Sequence, residues 1–458
     1  MLTSAFANPS VPAAARRPFG ERSWWPVAVV VAAIWVAVVH GALWWLDHGP
    51  SPKLPWGDEV TYLDAASKLL AGVPGWRPEP LWPPLYPQFV AGLMWLGGDS
   101  LVLVVIAQSL LLVATAILLA DFVCRMTGSR AAGMTAAAMV LGYPPLVGFA
   151  HFLWPEVLHL FLFVALLWLL ATKWNEIGWC AVSGLVLGLA VLTKSLLLPF
   201  VPVLLAAAAW RSRPRAAALR VVVVVSATLI TVAPTVTANA RRLGSPVLAG
   251  SATFNLWVGL NDVGREGHVN DIAWREYRAW LTSAEDFAGR ERVLWSKISD
   301  MVRRRGFGRI LGEQLSRQYF RLFDASCYLT DQLPGGVAWV RSPIGYRDLG
   351  AGPARVLRRV VVATVLLLYL AAPLGLAMSA CGGNRWLRVL LMFLAYNLLI
   401  FLWLHVTTRY RVQLLPVGFV GVGCLAAWVE AGGKPRLSWR SAAAAIAIAA
   451  SLVGFAFG

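Results

Sequence analysis

Long apolar runs alternate with short polar segments along most of the chain. A helix needs about 20 apolar residues to cross the hydrocarbon core of a bilayer, and this criterion predicts about eleven spans. The predicted spans cover residues 23–46, 101–121, 131–149, 155–172, 179–192, 196–210, 221–238, 356–380, 389–404, 412–429 and 442–457. The runs at 179–192 and 196–210 are short enough to form a tilted or broken pair.

The composition excludes an ordinary soluble protein. Hydrophobic residues make up 58% of the chain and charged residues 14%, whereas a soluble domain is about 25% charged. Backbone polar groups must be paired inside lipid, and the apolar runs lack the alternation of barrel strands. The predicted fold class is an all-α polytopic membrane protein.

Lysine and arginine concentrate in every second short loop. Because such loops stay on the cytoplasmic side, this distribution predicts a cytoplasmic tail over residues 1–22 and two long outer loops, 47–100 and 239–355. The chain then divides into an N-terminal transmembrane module, 23–238, the outer loop 239–355, which caps it, and C-terminal helices, 356–458. The first apolar run is longer than the core of a signal peptide and no cleavage site follows it, which predicts an uncleaved span.

The chain has a net charge of +17 and five cysteines. Clustered cations are typical of nucleic-acid binding, but membrane topology accounts for much of the excess. We therefore expect membrane lipids as partners and no nucleic acid.

The cysteines are scattered without the spacing of a metal site or a disulfide framework. No glycine-rich phosphate loop precedes a Rossmann unit, which argues against a nucleotide-sugar donor.

The stretch WGDEVTYLDAASKLLAGVPGW in the first outer loop predicts a short helix at the membrane surface. Gly57 and Asp58 can begin this helix, and Gly72 and Pro74 end it. Apolar and small side chains at helical spacing give the helix one buried face. Asp58 has two interpretations: a helix cap that accepts unpaired N–H groups, or a general base for an acceptor hydroxyl or amine.

Several motifs follow one another in order along the chain. They are Asp58-Glu59 with Tyr62, PPLYPQFVAGLMWLGG, Trp154-Pro155-Glu156, Leu192-Thr193-Lys194, NLWVGLN and Arg409-Tyr410-Arg411. Together they resemble the GT-C glycosyltransferase superfamily, in particular the bacterial branch with protein O-mannosyltransferases and the lipid A aminoarabinose transferase. The resemblance implies transfer of a sugar from a polyprenyl-phosphate donor, with inversion at the anomeric carbon, to an acceptor on the outer side of a bacterial inner membrane.

The resemblance also implies roles for individual residues. Asp58 would be the catalytic base, and Glu59 would shape the charge beside it or hold the acceptor. Cations would hold the leaving phosphate; the candidates are Arg77, Lys194, Arg409 and Arg411. Polar and aromatic side chains would contact substrate; the candidates are Tyr62, Tyr86, Glu156, Asn255, Asn261 and His405.

Some positions depart from this pattern or have a second interpretation. Thr61 and Trp82 stand where aminoarabinose-transferase-like proteins often carry basic residues, so other cations must replace them. Lys194 lies between two apolar runs, where a charge is costly and usually functional; it can also snorkel or pair with Glu156. Glu156 and His159, three residues apart, could bind a divalent metal, but no carboxylate-rich site surrounds them and we assign no metal ligand. For the two asparagines, turn formation is the alternative role.

Two other function classes compete with a glycosyltransferase. A transporter or flippase of lipid-linked sugars needs acids and cations along a path through the membrane midplane. Here the distinctive polar groups gather at the outer face. A membrane anchor or assembly protein leaves the paired acids and the ordered motifs unexplained. The sequence leaves a glycan, a lipid, a protein or a small molecule open as the acceptor.

Overall fold

The computed structural model describes residues 34, 37, 38, 41 and 44, and then 55–73, 82–98, 100–261, 271–284, 286–336, 349–378, 384–432 and 439–457. The predicted tail 1–22 and most of the predicted span 23–46 lie outside these residues. Within the described residues the regular elements are helices, which confirms the predicted all-α class.

Residues 239–355 are called the outer loop after the side that the charge pattern predicts. The helices before it are α1 (Asp58–Leu70), α2 (Leu85–Gly97), α3 (Val102–Thr127), α4 (Arg130–Gly142), α5 (Pro144–Phe149), α6 (Glu156–Thr172), α7 (Ile177–Thr193), α8 (Val201–Ala209) and α9 (Pro214–Leu243). A 3-10 segment, Ser195–Phe200, connects α7 to α8. Helix α1 begins and ends where the sequence predicted.

The helices of the outer loop 239–355 are α10 (Ala252–Asn261), α11 (Asp271–Leu281), α12 (Phe287–Arg305), α13 (Phe307–Leu315), α14 (Gln318–Phe323) and α15 (Tyr328–Asp331). The C-terminal helices are α16 (Ala351–Met378), α17 (Arg385–Phe401), α18 (Leu415–Glu430) and α19 (Trp439–Phe457). A second 3-10 segment, Thr408–Leu414, leads into α18.

Several of these helices are apolar enough to lie in a membrane. Among the described residues, four segments have the length and composition to cross it: α3, α9, α16 and Thr408–Glu430. Shorter apolar helices are Glu156–Thr172, Ile177–Thr193, Ser195–Ala209 and Ser441–Phe457. The protein is thus a multi-pass membrane protein, although the described helices do not reproduce the predicted number of eleven spans.

Two predicted spans are broken by proline. The run 131–149 is not one helix, because Tyr143 adopts an extended conformation before Pro144 and separates α4 from α5. A residue before proline is disfavoured in the helical region, which explains the break. The run 196–210 likewise divides into a 3-10 segment that contains Pro199 and the short α8. The suggestion that the pair 179–192 and 196–210 is broken is confirmed.

Small residues let the membrane helices approach closely. Gly184 and Gly188 of α7 face α9 so tightly that an added Cβ would collide with Val224 and Thr231. Thr228 of α9 also donates a hydrogen bond of 3.0 Å to the carbonyl of Gly184. Small residues four apart are typical of helix contacts in membranes, where backbone proximity replaces the hydrophobic effect.

Candidate active site

Asp58 forms an ion pair at the start of α1. The residue before it, Gly57, has φ of 62°, and no side chain caps the helix there. The interpretation of Asp58 as a helix cap is therefore wrong. Instead, its Oδ2 accepts a hydrogen bond from Nη1 of Arg409 at 2.5 Å. The structure thus joins two residues that the sequence separates by most of the chain.

Arg409 reaches Asp58 from the 3-10 segment before α18 and is held by aromatic rings. Its guanidinium carbon lies 4.2 Å from the centre of the Trp154 ring and 5.2 Å from that of Tyr410. A planar guanidinium stacks well on such rings. The side chains of Arg409 and Asp58 are 12% and 20% exposed, so the pair is largely shielded from water but still accessible on one side.

A second ion pair lies beside the first. Nζ of Lys194 is 2.9 Å from Oε1 of Glu156, whose side chain is 1% exposed. Lys194 follows α7 in an extended conformation, and Glu156 opens α6. The same lysine lies 5.6 Å from the Tyr410 ring that Arg409 contacts. The interpretation of Lys194 as a partner of Glu156 is confirmed, and both ion pairs meet around Tyr410.

Glu59 is a buried residue that stabilises the start of α1. Its side chain is buried, and its two oxygens accept hydrogen bonds from the backbone N–H of Trp56 at 3.1 Å and of Leu153 at 3.0 Å. Tyr328 of the outer loop donates to the carbonyl of Trp56 at 3.2 Å and packs its ring 4.2 Å from that of Trp154. These contacts fix the start of α1 against the segment that carries Trp154.

Replacing Glu59 by glutamine is expected to destabilise the protein. The amide keeps one acceptor oxygen, so one of the two buried N–H groups loses its partner at a cost of about 1–3 kcal/mol. Thermal unfolding in detergent measures the effect. Asp64→Asn is the matched control, because Asp64 lies exposed on the same helix. Equal unfolding temperatures for the two variants would contradict this role.

Tyr62 lies near Asp58 and packs against Tyr86. Their ring centres are 5.1 Å apart, and Tyr86 donates a hydrogen bond of 3.0 Å to Gln108. The amide of Gln108 donates in turn to the carbonyls of Ala150 and Phe152. Burial, together with the nearby negative charge of Asp58, raises the pKa of Tyr62 well above its usual range. Tyr62 therefore stays protonated, and its hydroxyl can donate a hydrogen bond.

Arg411 does not join the ion pairs, although it lies two residues from Arg409. Its Nη1 donates to the carbonyl of Asp324 and to the hydroxyl of Tyr369, both at 2.6 Å. It also bonds the carbonyl of Ser326. The structure gives Arg411 a supporting role between the outer loop and α16, and leaves Arg409 as the arginine of the site.

The remaining candidates lie where α10 crosses the end of α17. The backbone N–H of His405 donates to the carbonyl of Asn255 at 2.9 Å, and the side chain of Asn261 bonds its own helix at Trp257. A Cβ on Gly259 would collide with the backbone of Leu404. These contacts join the outer loop to the segment that leads to Arg409, but they do not place the asparagine side chains beside Asp58.

Sequence reasoning missed three supporting residues and named one that cannot be placed. Trp154 and Tyr410 belong to the quoted motifs but were given no role, although their rings contact Arg409. Tyr328 lies in the outer loop without any periodic signal. Arg77 lies outside the described residues. No group of three or more histidine, cysteine or acidic side chains gathers in the described part of the chain, so Glu156 and His159 gain no third ligand there.

Comparison with known proteins gives two matches. Residues 82–237 match the family model for dolichyl-phosphate-mannose-protein mannosyltransferase. Among solved structures, the chain is similar to the crystal structure of ArnT from Cupriavidus metallidurans bound to undecaprenyl phosphate. The identity is 14% and the TM-score 0.41, over 90% of this chain and 79% of that one. No curated protein sequence matches the chain.

The family match covers part of the predicted site. The apolar helices and outer loop of the chain form a polytopic membrane protein, and the matched segment contains Tyr86, Glu156 and Lys194. The match covers about a third of the chain and agrees with the resemblance that the order of the motifs indicated. Asp58 and Arg409 lie outside the matched segment.

Proposed function

We propose that this protein is a membrane glycosyltransferase of the GT-C superfamily, and that it moves a sugar from a polyprenyl-phosphate donor to an acceptor at the outer face of a bacterial inner membrane. The ion pair of Asp58 and Arg409 supports the proposal most directly, because it brings a carboxylate next to a guanidinium, a group that suits phosphate oxygens. The name of the matched family supports the donor class, since dolichyl phosphate is a polyprenyl phosphate. The distribution of lysine and arginine supports the orientation.

The proposed reaction is a single displacement. The acceptor oxygen or nitrogen attacks the anomeric carbon of the sugar and forms the new glycosidic bond. The bond from that carbon to the phosphate oxygen breaks, and the leaving polyprenyl phosphate keeps the electron pair. Asp58 takes the proton of the acceptor, as a general base on the acceptor side. Attack opposite the leaving group inverts the anomeric carbon.

Arg409 and Lys194 bind the phosphate of the donor in this proposal. Guanidinium groups match phosphate oxygens with two parallel hydrogen bonds, and cations on a leaving phosphate stabilise its growing charge. Both cations are paired with acids when no donor is bound. Arrival of the phosphate draws Arg409 from Asp58, so the carboxylate becomes available to the acceptor only when the donor is in place.

The test is a transfer assay with the full-length protein in detergent. Synthetic polyprenyl-phosphate donors with radiolabelled sugars are offered with cell-envelope acceptor fractions, with and without EDTA. The expected result is labelled acceptor and released polyprenyl phosphate. Donor binding without transfer, together with movement of the intact donor across proteoliposomes, would overturn the proposal in favour of a transporter.

A further inference from the structure

A groove of about 600 Å³ lies on the long helix α16, outside the site of the two ion pairs. Its lining includes three arginines and three apolar side chains: Arg355, Arg358, Arg359, Val362, Ala363 and Leu366. None of these residues takes part in the contacts of Asp58, Arg409, Glu156 or Lys194 described above. The groove is therefore a separate feature that the transfer mechanism does not use.

The order of the lining residues gives the groove a charged end and an apolar end. Residues three, four, seven, eight and eleven positions apart lie near one another on a helix. The arginines therefore form one end of a stripe, and Val362, Ala363 and Leu366 continue it along α16. Because α16 is long and apolar enough to cross a membrane, the apolar end points along the membrane helix. A ligand that fits has an anionic head and a hydrocarbon chain.

Two of the three arginines are available to a ligand. Arg358 donates a hydrogen bond to the carbonyl of Pro334, in the turn after α15. Arg355 and Arg359 are exposed and form no ion pair with any other described residue. Two neighbouring guanidinium groups at a membrane boundary suit a phosphate, because the planar arrangement of their N–H donors matches the geometry of phosphate oxygens.

The position of these arginines needs an explanation of its own. The contact of Arg358 with Pro334 places them on the same side as the outer loop. Positive residues are favoured in short cytoplasmic loops, so three arginines within five positions at the opposite end of a span do not serve orientation. Contact with a lipid phosphate explains both their sign and their place beside an apolar surface.

We propose that the groove of Arg355, Arg358 and Arg359 binds a lipid phosphate, with the phosphate at the arginines and the hydrocarbon chain along Val362, Ala363 and Leu366. Two sources share this chemistry: an anionic phospholipid of the bilayer and a polyprenyl phosphate. The site is distinct from the proposed transfer site, since none of its residues takes part in the contacts of Asp58 and Arg409 given above.

The test uses native mass spectrometry of the full-length protein in detergent. Phosphatidylglycerol and undecaprenyl phosphate are titrated separately, with phosphatidylcholine and inorganic phosphate as further probes. The variant Arg355→Gln/Arg359→Gln leaves Arg358 on Pro334 and is expected to bind lipid phosphate about tenfold more weakly, because charge-assisted hydrogen bonds are lost. The control Arg303→Gln/Arg304→Gln removes the same charge from exposed positions of α12 and is expected to bind normally.

A second variant keeps the arginines and fills the apolar end. Ala363→Trp, at an exposed position of the groove, is expected to weaken lipid binding. The weak binding of inorganic phosphate is expected to stay the same as in the wild type. The lipid that loses affinity in both groove variants identifies the source. Equal losses in the control variant, or inorganic phosphate competing as well as a lipid, would overturn the proposal. Sugar transfer in detergent is measured alongside, so failure here is distinguishable from failure of the transfer mechanism.

Discussion

Asp58→Asn is expected to slow sugar transfer by about a hundredfold or more, the usual cost of removing a positioned general base. Binding of the donor is expected to persist and to become tighter. Asparagine cannot form the ion pair that holds Arg409 at 2.5 Å, so the guanidinium no longer has to leave a carboxylate before it binds phosphate. The two readouts together separate a base from a residue that only supports the fold.

The measurement compares transfer rates and donor affinities of wild type, Asp58→Asn and Asp64→Asn. Asp64 lies on the same helix, exposed and paired with Lys68, so its replacement changes the same charge away from the site. An unchanged transfer rate in Asp58→Asn would show that Asp58 is not the general base. Weaker donor binding in that variant would contradict the exchange of Arg409 between carboxylate and phosphate.

Arg409→Gln is expected to lower the transfer rate by about a hundredfold or more, as removal of one group that stabilises a developing negative charge typically does. Donor affinity is expected to fall with it. Arg409→Lys keeps the charge but loses the planar fork and the stacking on Trp154, so we expect only partial recovery. Transfer rates and affinity for polyprenyl phosphate are measured for each variant.

The double variant Asp58→Asn/Arg409→Gln separates phosphate binding from loss of the ion pair. Removing one partner of a shielded pair leaves the other charge unpaired, which is itself destabilising. If Arg409→Gln acted only in this way, the added Asp58→Asn change would restore donor affinity. We expect stability to recover in the double variant and donor affinity to stay low. Recovery of both would contradict a direct contact between Arg409 and phosphate.

Local rules predicted much of this architecture. Glycine and an acidic residue begin α1, and the Gly72 turn ends it, as helix start and stop signals require. The apolar runs correspond to membrane helices because helix length in a bilayer is set by its thickness. The Lys194 and Glu156 pair was also foreseeable, since a lone charge between apolar runs needs a partner. These features depend on a few neighbouring residues or on one strong energetic cost.

The choice between Arg409 and Arg411 could not be made from the sequence. In a 3-10 helix three residues complete a turn, so side chains two positions apart point in different directions. Arg409 faces Asp58, and Arg411 faces Asp324 and Tyr369. Which direction leads to the site depends on how this segment packs between the outer loop and α6. Tyr328 was missed for the same reason, because its contacts are with residues distant in the chain.

The close crossing of α10 and the segment after α17 also bears on how the protein moves. At Gly259 the two backbones touch with no side chain between them, and the N–H of His405 is bonded to Asn255. A flexible side chain could absorb a small displacement at such a crossing, but two backbones in direct contact cannot. A shift of α10 would therefore move residues 403–405, only four positions before Arg409, so the outer loop and this arginine are mechanically coupled.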